Sequence, residues 1–280
     1  MGNIKKSCAI LRSDFYGWVN NTKVYLFLFM TAWFAYVNFE VMSSYAERVG
    51  YRMNYCLFPF LFTVPYIRII LYTLFAFVML DAPFMNSIQA SVILRSRRRI
   101  WYNSQVIYIV LCSFFMTLYT AVIPILLNIR YIVFQGNWGK VLTNICNERD
   151  VPNPINPVLI SKYEPWQALF FTGLVLFLLL ILVGQVNFFF NITVKDLHIG
   201  SILVFGFIML DFLFYLTDYY DLEWFSPFTW LQLDKLAYGY ETTLPSIQYA
   251  VGVLAGMNIL FVILINIKLK KVDVQIYVQD

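Results

Sequence analysis

Six nearly unbroken apolar runs alternate with polar segments along this chain: 24–39, 57–80, 106–129, 168–190, 199–217 and 247–267. Five of them hold 19 residues or more, enough at ~1.5 Å per residue to cross the ~30 Å hydrocarbon core of a bilayer. The first, at 16 residues, is short. It spans by extending back through Trp18, or by tilting little with its ends in a thinned interface. Inside lipid every backbone amide needs a partner within the protein, so runs of this length predict helices. The alternation of a membrane barrel is absent. The pattern therefore predicts an all-α membrane protein of six transmembrane helices.

The polar segments between the runs differ in character. The stretch SCAILRSDFYGWVNNTK places Leu11, Phe15, Trp18 and Val19 at helical spacing with Ser7 in position to cap. A helix lying flat in the interface fits it, as does an ordinary juxtamembrane anchor. Residues 81–101, DAPFMNSIQASVILRSRRRIW, are too polar to cross. Phe84, Met85, Ile88 and Val92 recur at three and four residues, Asp81 can cap, and Pro83 falls in the first turn. Arg95, Arg97, Arg98 and Arg99 would close this short amphipathic helix at the negative end of its dipole. An anchor that fixes topology and touches lipid headgroups explains the same arginines. Segment 130–167 forms a larger loop with turns at VPNPINP. Segment 218–246 is dense in aromatic and leucine residues, and Phe225, Phe228, Trp230, Leu231 and Leu233 suit short re-entrant helices or an aromatic belt.

Composition agrees with the pattern: 60% of residues are hydrophobic, 19% aromatic and 13% charged, about half the charged share of a soluble domain. The cations assign sides. With the N-terminus inside, the inner segments hold twelve: Lys5, Lys6, Arg12, Lys23, Arg95, Arg97, Arg98, Arg99, Lys195, Lys268, Lys270 and Lys271. The outer side holds seven over longer loops, and ten of the sixteen acids. Both termini are then cytoplasmic in a plasma-membrane protein. The first apolar run begins late and lacks a small-residue cleavage site, so it is expected to remain as a helix. Lys6 stands where a myristoylation signal needs Ser or Thr. Cys8, Cys56, Cys112 and Cys146 share no metal spacing. Cys56 and Cys146 fall near the same face, where two unrelated free thiols are favoured over a disulfide.

Charge at membrane depth is costly and often functional. Arg68, just after Pro65, and Asp211 are such residues, and either a structural pair or a polar path accounts for them. Gly252 and Gly256 make a small-xxx-small face for close helix packing, within the chain or across a dimer. Chemistry of its own is not visible. The segment GNWGKV lacks the spacing of a phosphate-binding loop, the single His198 has no companions, and no paired carboxylates face each other at depth. No metal site, enzyme activity or nucleic-acid partner is expected.

The arrangement resembles the membrane subunits of type-2 ABC exporters. The stretch LDAPFMNSIQASVILRSRRRIWYNSQVIYI is similar to permeases of Gram-positive bacteria in which DAPF follows the second helix and R-S-x-R-x-x-W leads into the third. SPFTWLQL, 226–233, is like the PF segment those permeases carry before the last helix. The resemblance implies that 81–101 docks on a separate ATPase subunit that binds ATP and Mg. Phe84, Met85 and Ile88 would be its contacts, the four arginines its charged flank, and the N-terminal stretch a contributor. It also implies that 224–240 closes the exit and that a second permease chain completes the path; Arg68 and Asp211, singled out by their depth, are the residues to test for lining it. Two other classes remain: a membrane immunity or sensor protein without transport, and a secondary carrier, for which no internal repeat is evident.

Overall fold

The computed structural model of the chain describes residues 2–82, 98–146, 155–194, 199–217, 220–239 and 243–269. Among these, helix α1 covers Gly2–Tyr16, α2 Thr22–Val49, α3 Pro65–Val78, α4 Arg98–Leu127, α5 Gly139–Ile145, α6 Pro157–Lys162, α7 Pro165–Val194, α8 Ile199–Thr217 and α9 Ile247–Leu269. Four of these contain stretches long and apolar enough to cross a membrane: Thr22–Val49, Ile100–Leu127, Pro165–Val194 and Ile247–Lys268. Shorter apolar helices are Pro65–Val78 and, within α8, Ile199–Leu210. This is the all-α architecture of a multi-pass membrane protein.

The centre of the bundle is α7. All ten residues from Leu179 to Phe188 are buried, the signature of a helix apolar on every side and enclosed on every side. Helices α3, α4, α8 and α9 pack around it. By contrast α2 buries one stripe, through Phe27, Thr31, Ala35, Phe39 and Met42, and turns Phe29, Trp33 and Tyr36 outward. Outward-facing aromatics on that scale are what a lipid-facing flank requires.

Boundaries differ from those read along the sequence, each for a local reason. The first apolar run is part of the 28-residue α2, which extends forward to Val49 rather than back through Trp18. Asn21 stops it at the front: its backbone is extended, and its side chain accepts the Lys23 N–H. At the far end Gly50 adopts φ 73° and donates its N–H to the Ala46 carbonyl, 2.9 Å, a left-handed cap that suits glycine. The added turns carry polar groups that the loops use: Ser43 donates to Asn128, and Tyr131 donates to Glu47, 3.1 Å. Trp18 lies instead in a separate 3-10 turn, Gly17–Asn20. Because α1 begins at Gly2, Ser7 falls inside it and does not cap it.

The run 57–80 is not one helix. Pro65 opens α3 with no N–H to place, and Val64 before it is held extended. Upstream, Phe58–Phe62 form a 3-10 turn that is wholly buried. The arginine block is divided differently too. Arg98 and Arg99 open the 30-residue α4 rather than close a preceding helix. Phe84, Met85, Ile88, Arg95 and Arg97 lie outside the described residues, as do the side chains of Arg98 and Arg99.

The helices run up and down between two ends. One end, here the arginine end, gathers the start of α2, the close of α3, the start of α4, the end of α7 and the start of α8. The other, the loop end, is elaborated. Strand β1, Met53–Asn54, pairs in parallel with β2, Ile132–Val133. Asn54 fixes that pairing by donating to the carbonyls of Gln135 and Asn137 and accepting from Cys56 N–H. The segment before α9 folds as 3-10 turns at Tyr220–Phe225, Thr229–Leu231 and Leu233–Lys235. Phe228, Trp230, Leu231 and Leu233 are buried there, while Phe225 is 79% exposed.

Candidate functional site

At the arginine end the two attachment points of segment 83–97 are fixed by side chains. Asp81, just past α3, pairs with Lys23 at the start of α2, Nζ to Oδ2 2.6 Å. Lys23 also stands over the Phe77 ring, 5.2 Å. Carbonyls of the chain just past α3 are taken by α7. Asn191 Nδ2 donates to Leu80 O, 3.2 Å, and to Ala82 O, 2.6 Å. The other side of the same amide, Oδ1, accepts the Gly200 N–H at the head of α8, 2.8 Å. One turn earlier Asn187 donates to Ala76 O, 3.4 Å, and accepts from Ser201 Oγ, 2.9 Å. Asparagines four apart lie on one helical face, so both reach the same two neighbours. Glycine is required at position 200, because a Cβ there would stand 2.5 Å from Asn187 O and 2.6 Å from Asn187 Cα.

On its other side the segment continues directly into α4. Trp101 is 2% exposed and its ring sits 6.3 Å from that of Phe188 on α7. Tyr102 donates to Val262 O of α9, 2.8 Å. Helix α1 packs beside α4: Trp18 Nε1 donates to Tyr108 OH, 2.7 Å, and Gln105 Nε2 to the buried Asp14 Oδ2, 3.2 Å. Phe15 meets the Trp18 and Tyr108 rings, each at 5.1 Å. Thus the amphipathic face expected of the N-terminus covers α4, with Leu11, Phe15 and Trp18 inward and Val19 64% exposed.

Charge is also buried at the loop end. Arg68, in the first turn of α3, is wholly enclosed. Its charge acts on Asp234 in the last 3-10 turn. Burial pushes the Asp234 carboxyl above the usual carboxylate range, while its backbone bond, the Lys235 and Arg68 charges and the Asn156 side chain pull it down. Asn156 Nδ2 donates to Asp234 Oδ2, 2.7 Å, and Gln232 Nε2 donates to the carbonyls of Phe62 and Thr63, 3.3 and 3.2 Å. So segment 220–239 is stitched over the start of α3. Asp211 belongs to α8, and its side chain lies outside the described residues. Cys56 is buried, donates to Pro165 O at 2.8 Å, and is pushed up by burial to about 12. Cys146, just past α5, donates to Leu142 O of that helix, and both thiols are free.

Gly252 and Gly256 lie on the exposed side of α9, where an added Cβ would meet nothing within 4 Å among the described residues. Asn187, Asn191 and Asp234 were not singled out along the sequence. For the asparagines a signal existed: two amides four residues apart in an otherwise apolar run, where each must find a partner. Among known proteins, no family model, no curated protein and no solved structure matches this chain.

Proposed function

We propose that this chain is the permease subunit of an ATP-driven exporter, with no catalytic site of its own. Segment 83–97 receives motion from a separate ATPase chain that binds ATP and Mg. What carries the reading is the mounting of that segment. Its front end is tied to α2 through Asp81 and to α7 and α8 through Asn191, and its far end is the first turn of α4. A displacement of 83–97 therefore acts on five helices at once and not on a slack loop. Phe84, Met85 and Ile88 supply the contact and Arg95, Arg97, Arg98 and Arg99 its charged flank, and α1 contributes to the same contact. ATP binding on the partner chains then biases the bundle between inward and outward states.

In this reading α3 and α8 also cross the membrane, giving six spans with both termini cytoplasmic. The 19-residue α8 reaches ~28 Å and the 14-residue α3 ~21 Å. The buried 3-10 turn Phe58–Phe62 carries the second crossing onward. Segment 224–240 closes the exit, and Arg68 acting on Asp234 steadies that closure. Asp211 is the further candidate for the path itself.

The test is a tagged pull-down from native membranes. It compares the normal chain with a variant carrying F84D and I88D and Gln at the four arginines, both checked for correct insertion. Recovery of an ATPase with the normal chain only is the expected result. If no ATPase accompanies either, the arginines are an anchor and a membrane immunity or sensor protein becomes the better reading.

A further inference from the structure

Helices α8 and α9 each pack on α7, and the space between them stays open as an apolar crevice of about 420 Å³. Val186 and Phe190 of α7 form its floor, Val204 and Phe207 of α8 one wall, Met257 and Phe261 of α9 the other. At the loop end it stops against the turn Phe225–Phe228. That stop is built rather than loose. Thr229 donates its hydroxyl to Ser226 O, 2.6 Å, and the Phe228 ring packs against Tyr72 of α3, 5.0 Å between centroids. The opposite side is open, with Phe207 54% and Leu210 46% exposed.

We infer that this crevice seats one acyl chain of a membrane phospholipid. Three observations select that occupant. Every lining side chain but Ser226 is apolar, so neither a polar solute nor water gains partners there. The opening lies on the flank of membrane-crossing helices, where the medium is hydrocarbon. The shape suits a thin chain: the lining runs only from Leu182 to Phe190 along α7, a little over two turns, far short of the length over which a transmembrane helix packs. A second copy of the chain has a different face available, because Gly252 and Gly256 point about 140° around α9 from Met257 and Phe261.

The experiment uses the full chain in vesicles of phosphatidylcholine and phosphatidylglycerol, doped with a phosphatidylcholine bearing a diazirine at the end of one acyl chain. After irradiation, labelled peptides are mapped by mass spectrometry. Label is expected to concentrate around Phe190, Val204 and Phe261, about fivefold over the exposed flank of α2 at Phe29 and Trp33. V204W fills the crevice and should abolish the excess. M257W blocks the half-exposed rim without overfilling the interior and should do the same in a chain that folds normally. Label spread evenly over both flanks, or unchanged in M257W, overturns the inference. So does efficient disulfide cross-linking of two copies through F207C, which would place a second chain there.

Discussion

Asn191 joins three helices with one amide, donating to Leu80 and Ala82 and accepting from Gly200. An apolar replacement of the same length leaves those three buried backbone groups without their partner, at roughly 1–3 kcal/mol for an unsatisfied group. N191L should therefore lower the thermal midpoint of the detergent-purified chain clearly. G200A should do so as well, since its methyl must displace backbone rather than a flexible side-chain end. Asp234 gives a prediction of opposite sense. Its unfolded carboxyl titrates near 3.8 and its folded one higher, so the folded chain holds the proton to higher pH. This contribution to stability is complete below the unfolded value and is lost as pH rises through the folded one. D234N keeps an acceptor for Asn156 and cannot titrate. Thermal unfolding followed upward from about pH 4 should decline less in D234N than in the normal chain. An equal decline in both would remove Asp234 as its source. Arg68 was legible from the sequence as a charge out of place in an apolar run, but its depth was not. Midway along 57–80 by count, it falls in the first turn of α3 because the helix begins only at Pro65. The electrostatic neighbour of Arg68 was not legible either, since Asp234 lies 166 positions away in a segment without periodicity.

At the scale of elements, legibility did not follow the length of the apolar run: 199–217, among the shortest, matches α8 end to end, while 57–80, among the longest, is broken. The runs 168–190, 199–217 and 247–267 each lie within a single helix, and 106–129 does so up to Leu127, because an apolar run in lipid has no other way to satisfy its backbone. Hydropathy locates the part of a helix in hydrocarbon and is silent about how far the helix continues into water. That is why the added turns of α2 and the first eight residues of α4 were not visible as parts of those helices. In 57–80 the break was signalled by Pro59 and Pro65 but was outweighed by unbroken hydrophobicity. The Lys23–Asp81 pair belongs to this scale, since it joins two elements. With side chains 21% and 51% exposed, it is worth at most ~1 kcal/mol to folding. Its larger role in the proposed mechanism is to set where segment 83–97 leaves the bundle. K23D and D81K singly should reduce ATPase recovery from native membranes with little change in thermal midpoint, and the double exchange K23D/D81K should restore it. Loss in the double exchange equal to that in the singles would remove the pair from the coupling route.

Among the described residues, α2 and α9 both turn apolar side chains outward, and their exposed faces differ in kind. Along α2 the exposed side chains are large: Phe29, Trp33 and Tyr36. Along α9 two glycines stand one turn apart, with Ile259, Leu260, Ile263 and Ile267 exposed on the turns that follow. In hydrocarbon, association between helices gains little from burying apolar area, because lipid tails are equally apolar; it depends on how closely two backbones approach. Large aromatics hold a partner at a distance, whereas Gly252 and Gly256 allow contact. A second permease chain, if it meets this one along a helix, should therefore meet α9 and not α2. Cross-linking between copies in native membranes should be captured by cysteine placed at Ile259 and not by cysteine at Trp33. G252L with G256L should reduce it by roughly an order of magnitude, ~1.4 kcal/mol of association. W33A should leave it unchanged. Because both glycine positions are open within the chain, leucine there has no internal neighbour to displace, so the thermal midpoint of the isolated chain should hold steady while association falls. If midpoint and association fall together, the glycines serve the fold of a single chain, and the path between two permeases lies along another helix.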